Sequence, residues 1–244
     1  MKNLLLFGFF IILLVAVQFA SGQTVDEVID KYMKARGGKE KLLGIKTIYM
    51  EGMGQMMGNE ITVKVTKEQG KLSRRDFEAG GSNGFFLVTE KEAWSYFPMR
   101  SPSPAKMPDV ALAGMLTEMD IAGPLVDYVA KGHRTELIGK DTLDGNPCYK
   151  IKLTTKAGKE INYWIDASTY LLTKSSTKGG GRRSAGGEGE QITLYKDYKA
   201  IDGILFAHTL ETKMSGGEGR GGGGTTFDKI ELNKPVDPKL YKPE

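Results

Sequence analysis

Acid–base or nucleophilic chemistry near neutral pH needs a histidine, a reactive cysteine or a carboxylate pair within reach of a second polar group. This chain of 244 residues contains two histidines and one cysteine. His133 precedes a stretch of strand character, and His208 lies inside Phe206-Ala207-His208-Thr209. Neither is accompanied by His-x-x-x-His, Cys-x-x-Cys, Gly-x-Ser-x-Gly or Asp-x-Asp, so no metal-ligand or triad spacing emerges. Both read as packing or edge histidines. Cys148 follows Pro147 at the start of a strand and reads as a packed thiol. Acidic residues alternate with lysine, as in Glu211-Thr212-Lys213, which is the pattern of a solvated strand face. We therefore assign no catalytic residue, no metal ligand and no cofactor, and expect a protein that is not an enzyme.

The apolar residues are more informative. A turn at Glu90-Lys91 would place Phe85 and Leu87 on the same sheet face as Trp94 and Tyr96 across a hairpin. That patch fits a binding surface and plain core packing equally well. Met50, Met53, Met56 and Met57 gather around the first predicted hairpin, and Met99, Met107, Met115 and Met119 fall in a later insert. Thioether chains repack around irregular apolar guests. The expectation is an adaptable apolar cavity, with Met50, Phe85, Leu87, Trp94 and Tyr96 on the sheet side. Met115, Leu116, Met119 and Leu125 would form its cover.

The elements that must position these residues begin after an N-terminal leader. Lys2, the apolar run Leu4 to Val17 and Ala20-Ser21-Gly22 have the layout of a signal peptide at 1–22, with an uncleaved anchor as the other reading. Residues 23–244 are of single-domain size. The net charge of +4 gives no nucleic-acid signature. Thr24 caps a predicted helix through Lys34, stopped by Gly37-Gly38. After a turn at Lys39–Leu43 the period changes to two, and Thr47–Met53, Glu60–Thr66, Lys71–Phe77, Asn83–Thr89 and Ala93–Phe97 read as strands. Pro98, Pro102, Pro104 and Pro108 break the sheet and open a helical insert at 98–132, with Asp109 as a helix cap and a second short helix after Pro124.

Seven further strands follow, at His133–Asp141, Cys148–Thr154, Glu160–Asp166, Tyr170–Thr177, Gln191–Tyr198, Leu205–Met214 and Thr225–Asn233. Asp144-Gly145 and Asp202-Gly203 are strong hairpin turns between them. The fold class is mainly β with some helix (α+β): about twelve antiparallel strands in a meander. Exposing one whole apolar face of such a sheet costs about 25 cal/mol per Å². We expect an incomplete barrel, a half-barrel, closed by a helical lid. If the strands alternate direction in sequence order, the Met56-Met57 turn, the insert and the Gly-rich stretches 179–189 and 216–224 share one rim. Arg182, Arg183 and Arg220 would line it, either as part of a mouth or on tolerated flexible hairpin tips.

Three stretches, Tyr32–Ile48, Asp120–Leu153 and Lys196–Phe206 with Ile230–Tyr241, together with Ala93-Trp94, resemble the outer-membrane lipoprotein-sorting family, relatives of the LolA and LolB carriers in the Bacteroidetes-type form. The resemblance implies a half-barrel with a helical lid, a periplasmic location and no cofactor. It implies binding of the acyl chains of a lipoprotein or other lipid, an outer-membrane acceptor as partner, and a monomer. The chain departs from the family's basic-Arg-Pro-Asn pattern, whose Arg ties the lid shut, by having Lys67-Glu68-Gln69-Gly70. A second reading from another class is an envelope sensor or protein-interaction module on the same half-barrel.

Overall fold

The computed structural model describes residues 23–56, 58–178, 189–215 and 223–243. The expected leader, Met57, the Met56 side chain, and Arg182, Arg183 and Arg220 with most of their Gly-rich stretches lie outside the described residues.

Thr24 opens helix α1 (Val25–Ala35) with a reciprocal capping box. Its hydroxyl accepts from the Glu27 N–H, and the Glu27 carboxylate accepts from the Thr24 N–H. Val28, Ile29, Tyr32 and Met33 form one buried stripe. Where the sequence predicts only a turn, a short helix α2 (Lys39–Leu43) forms, because Gly38 at φ 100° lets the chain reverse and its carbonyl accepts from the Leu42 N–H.

Thirteen strands follow among the described residues, one more than the sequence predicts. They are β1 (Thr47–Met56), β2 (Asn59–Glu68), β3 (Leu72–Ala79), β4 (Ser82–Thr89), β5 (Ala93–Tyr96) and β6 (Ala105–Lys106), then β7 (Arg134–Leu143), β8 (Asn146–Thr154), β9 (Glu160–Asp166), β10 (Leu172–Lys178), β11 (Glu190–Ile201), β12 (Ile204–Met214) and β13 (Gly223–Leu232). The additional one is the two-residue β6 inside the Pro-rich insert, where Trp94 pairs with Lys106 and Ser95 with Ala105. Asp144-Gly145 and Asp202-Gly203 take the positive φ values that two-residue hairpins require.

The spatial order is β6-β5-β4-β3-β2-β1-β13-β12-β11-β10-β9-β8-β7, antiparallel throughout. This corrects the expected single meander. Two meanders share a central seam, at which β1 pairs with β13, while β6 and β7 are free edges of an open half-barrel. At the seam Gly52 lies against the other chain segment so closely that a Cβ there would stand 1.9 Å from the Thr226 carbonyl oxygen. Only glycine fits the bulge between Glu51 and Gly52.

The insert therefore does not join neighbours; it crosses from one edge of the sheet to the other. It contains α3 (Asp109–Met115), a 3₁₀ turn at Leu116–Met119 and turns to Gly132. Asp109 is the first helical residue instead of the cap, a position held by Pro108 without a side-chain bond. The helix expected after Pro124 does not form: Asp127 stands at φ 54°, in the left-handed region that breaks a helical ladder. The face that carries α1 and this lid is the concave one. Its core joins Val28, Ile29, Tyr32 and Met33 of α1, Ala122, Leu125 and Val126 of the lid, and inward residues of both meanders such as Ile61, Val63, Ile151, Ile165 and Phe227.

Candidate functional site

Pairing register decides which side chains of β2 to β5 face the helices, because alternate residues point to opposite sides. Ile48, Lys67, Ser73, Val88 and Ala93 are successive cross-strand partners on the concave face. Met50, Val65, Arg75, Phe86 and Ser95 form the next row, and Gly52, Val63, Phe77 and Gly84 the one after. Phe85, Leu87, Trp94 and Tyr96 do share one face, through the pairs Phe85↔Tyr96 and Leu87↔Trp94. That face is the convex one. There they pack with Leu72 beneath Val236, Leu240 and Tyr241 of the C-terminal segment, so the expected sheet side of the cavity is corrected.

The other expected site residues separate as well. Met50 packs against the main core and Leu125 is buried in it. Met119 is buried on Val88 and Ala93, with Met107, Leu112 and Met115 beside it. Leu116 is 42 % exposed and belongs to no cover. His133 Nδ1 accepts from the Lys156 N–H at 3.1 Å, and burial pushes its pKa down. His208 Nδ1 donates to the Phe227 carbonyl at 2.7 Å within the core, with Nε2 buried and unpartnered. Burial raises the Cys148 thiol. Among the described residues no group of three or more His, Cys, Asp or Glu is placed to hold a metal ion.

What the sequence reading missed is the opposite phase of the same strands. Phe77, Phe86 and Phe97 form an aromatic trio on the concave face, with ring centroids 5.1 Å apart for Phe86 and Phe97, 5.7 Å for Phe77 and Phe86 and 6.2 Å for Phe77 and Phe97. All three remain partly exposed. Phe77 packs against the main core, and Phe86 is two residues along β4 from Val88, on which the lid methionines sit. Arg75 stands directly opposite Phe86 and is exposed, and Lys67 sits diagonally from it on β2. Burial pushes the Lys67 ammonium below its ordinary value; Glu118 and Asp120 of the lid oppose that shift and Arg75 adds to it.

Two grooves on the convex face, of about 460 and 360 Å³, flank Leu240. The first is lined by Arg74, paired with Asp76 at 2.9 Å, by Lys64, 3.8 Å from Glu51, and by the exposed Glu78. The concave face, with partly exposed aromatic rings and with Arg75 and Lys67 outside any salt bridge among the described residues, is the better binding surface.

The half-barrel has counterparts in solved structures. A LolA superfamily protein from Nitrosomonas europaea superposes with a TM-score of 0.57 at 14 % identity, covering 91 % of this chain and 99 % of that one. This chain has the LolA-like fold. An outer membrane lipoprotein-sorting protein domain from Vibrio parahaemolyticus matches with a TM-score of 0.55 at 11 % identity, over 88 % of this chain and 94 % of that one. A DUF1329 family protein from Desulfovibrio piger gives 0.55 at 13 % identity, over 91 % and 98 %. No family model and no curated protein matches the sequence. At these identities the likeness is one of fold.

Within this LolA-like frame the lid is held by residues other than the family's Arg pattern. The Gly70 N–H donates to the Met119 carbonyl at 3.1 Å, and the Ile121 N–H donates to Gln69 Oε1 at 2.8 Å. At the end of α1 the Arg36 guanidinium, 9 % exposed, donates to the Ala122 carbonyl at 3.1 Å and to the Tyr32 hydroxyl at 2.9 Å. Lys39 with Asp127 and Lys131 with Asp120 add ion pairs at 2.8 and 2.7 Å. The β2–β3 turn and the end of α1 thus grip the lid around residues 119–122. Among the described residues no helix is long and apolar enough to cross a membrane.

Proposed function

We propose that this protein is a non-catalytic carrier of the cell envelope that binds an acyl chain of a lipid or lipoprotein on its concave face. The observation that carries the reading is the trio Phe77, Phe86 and Phe97, held partly exposed beside a methionine-lined lid. Core aromatics of a satisfied sheet are normally covered, and an uncovered cluster beside adaptable side chains is a place for an apolar guest. Each buried CH₂ of a guest contributes about 0.8 kcal/mol, so even a partly enclosed chain gains useful affinity without any reacting group. The shared fold with an outer membrane lipoprotein-sorting protein domain supports a sorting role. Residues 1–22 would supply the leader that takes the chain to the periplasm.

Native mass spectrometry of protein purified from its own envelope is expected to find a bound lipid or acylated peptide. A protein that is consistently empty, and that fails to quench or brighten a fluorescent fatty acid, would overturn the reading. Recovery of one stoichiometric protein partner with no lipid would favour an interaction module instead.

A further inference from the structure

The concave cleft is not uniformly apolar. Arg75 is the cross-strand partner of both Val65 and Phe86, and Lys67 lies one residue pair further along β2, opposite Ser73. Diagonal neighbours of this kind are about 7–8 Å apart at the backbone, within reach of one another's long side chains. Among the described residues neither cation makes a salt bridge; the pairs formed nearby belong to Arg74 on the other face, to Lys71 in the turn and to Lys131 of the lid. Asp120 of the lid, half-buried, meets Lys131 through Oδ2 at 2.7 Å, while among the described residues its Oδ1 has no hydrogen-bond partner. Glu118 is exposed on the lid.

Burial and Arg75 disfavour the Lys67 ammonium, and Glu118 and Asp120 of the lid favour it without restoring its ordinary value; an anion held between Lys67 and Arg75 would add to what the lid carboxylates do. The apolar neighbours set what else that opposite charge must carry. Phe77 follows Arg75 by two residues on β3, and Phe86 faces it across the pair, so one side of the cation pair opens directly onto the aromatic trio. Successive inward residues on a strand are about 6.6 Å apart. A chain of a few CH₂ units therefore spans the distance from the charges to the rings. The exposed Arg100 has its guanidinium 5.5 Å from the Phe97 ring centroid.

We infer that the cleft selects a single-chain lipid anion, whose head group lies between Arg75 and Lys67 and whose acyl chain runs over Phe77, Phe86 and Phe97. The inference rests on the carrier reading and sharpens it from acyl chains in general to chains with an anionic end. The guanidinium of Arg75 can hold a carboxylate or phosphate oxygen pair edge-on, and Lys67 supplies a second point charge from beneath the lid.

The test compares dodecanoate with dodecanol, and both with inorganic phosphate, as displacers of a fluorescent fatty acid from the full protein. Dodecanoate is expected to bind about tenfold or more tighter than dodecanol, the scale of a hydrogen bond to a charged group, with inorganic phosphate displacing nothing at millimolar concentration. Arg75→Gln, at an exposed position, and Lys67→Gln are each expected to bring the ratio of the two affinities towards one. Equal binding of dodecanoate and dodecanol by the unaltered protein would overturn the inference while leaving the carrier reading intact. Displacement by inorganic phosphate alone would make the cation pair a bare anion site and overturn it too. A protein that takes up neither chain would overturn both readings. Thermal melts of the variants separate a lost head-group contact from a lost fold: a ratio unchanged in a variant that melts normally counts against that residue's role.

Discussion

Phe85 and Phe86 are chain neighbours on β4 that belong to different surfaces of the protein. Phe85 is 4 % exposed, with its ring 5.8 Å from Tyr96 and capped by the Arg74 guanidinium at 4.3 Å on the convex side. Phe86 meets Phe97 at 5.1 Å on the concave side and stays partly open. The two rings should therefore fail differently when removed. Phe85→Ala is expected to cost about 3 kcal/mol or more of stability, as for other buried aromatics. Phe86→Ala is expected to cost about 1 kcal/mol and to weaken uptake of a fluorescent fatty acid. Urea denaturation and probe titration on both variants check this, and a Phe86 variant that binds the probe as well as the unaltered protein would count against the cleft.

Arg36 ties α1 to the lid and to β12, since its Nε also donates to the Leu205 carbonyl at 3.4 Å. Arg36→Leu keeps bulk but leaves the Ala122 carbonyl and the Tyr32 hydroxyl without this donor. A loss of about 2–4 kcal/mol is expected from breaking a buried charged hydrogen-bond set. Hydrogen exchange should show residues 119–132 opening ahead of the sheet; protection that falls uniformly would mean the contact does not control the lid.

The seam between the two meanders depends on Gly52. Adding one methyl, Gly52→Ala, drives a carbon into the Thr226 carbonyl and must displace β13. We expect about 2 kcal/mol or more of destabilisation, in the range of overpacked sites, whereas alanine at Gly114, which has open space around its Cβ position, should be neutral or stabilising. Melting temperatures of the two variants compare them directly.

The C-terminal segment is held over the convex aromatics by Arg74, whose Nη1 donates to the Lys242 carbonyl at 2.8 Å, and by the Tyr241 hydroxyl on Glu68. The hydrogen bond from Lys71, then that from Tyr241, holds the Glu68 carboxyl below the usual carboxylate range. A carboxylate with a depressed folded pKa stabilises the fold above its unfolded value of about 4.3, and that contribution disappears as pH falls through the lower folded value. Acid titration below pH ~4 should therefore loosen the segment, seen as a change in Trp94 emission, and Glu68→Gln should remove that transition. An identical titration in the variant would assign the change elsewhere.

Local elements were legible in the sequence because they rest on local physics. The Thr24/Glu27 capping box, the Asp144-Gly145 and Asp202-Gly203 hairpins and the alternation in β2 and β8 each involve residues a few positions apart. Even the shared face of Phe85, Leu87, Trp94 and Tyr96 follows from one short turn. Propensity after Pro124 predicts a helix, but it does not report that Asp127 takes a left-handed conformation, with which the lid turns and meets Lys39.

The rest was decided only in three dimensions. Alternation divides a strand into two faces without saying which one is concave; that depends on where α1 and the lid pack, and both phases of β4 offer an aromatic ring. The seam between β1 and β13 joins segments about 180 residues apart, so no local pattern distinguishes it from a meander in sequence order. By that one long-range pairing the lid became a strap from one edge of the sheet to the other; the packing of α1 and the lid then left the expected cavity quartet on the convex side and put Phe77, Phe86, Arg75 and Lys67 on the concave one.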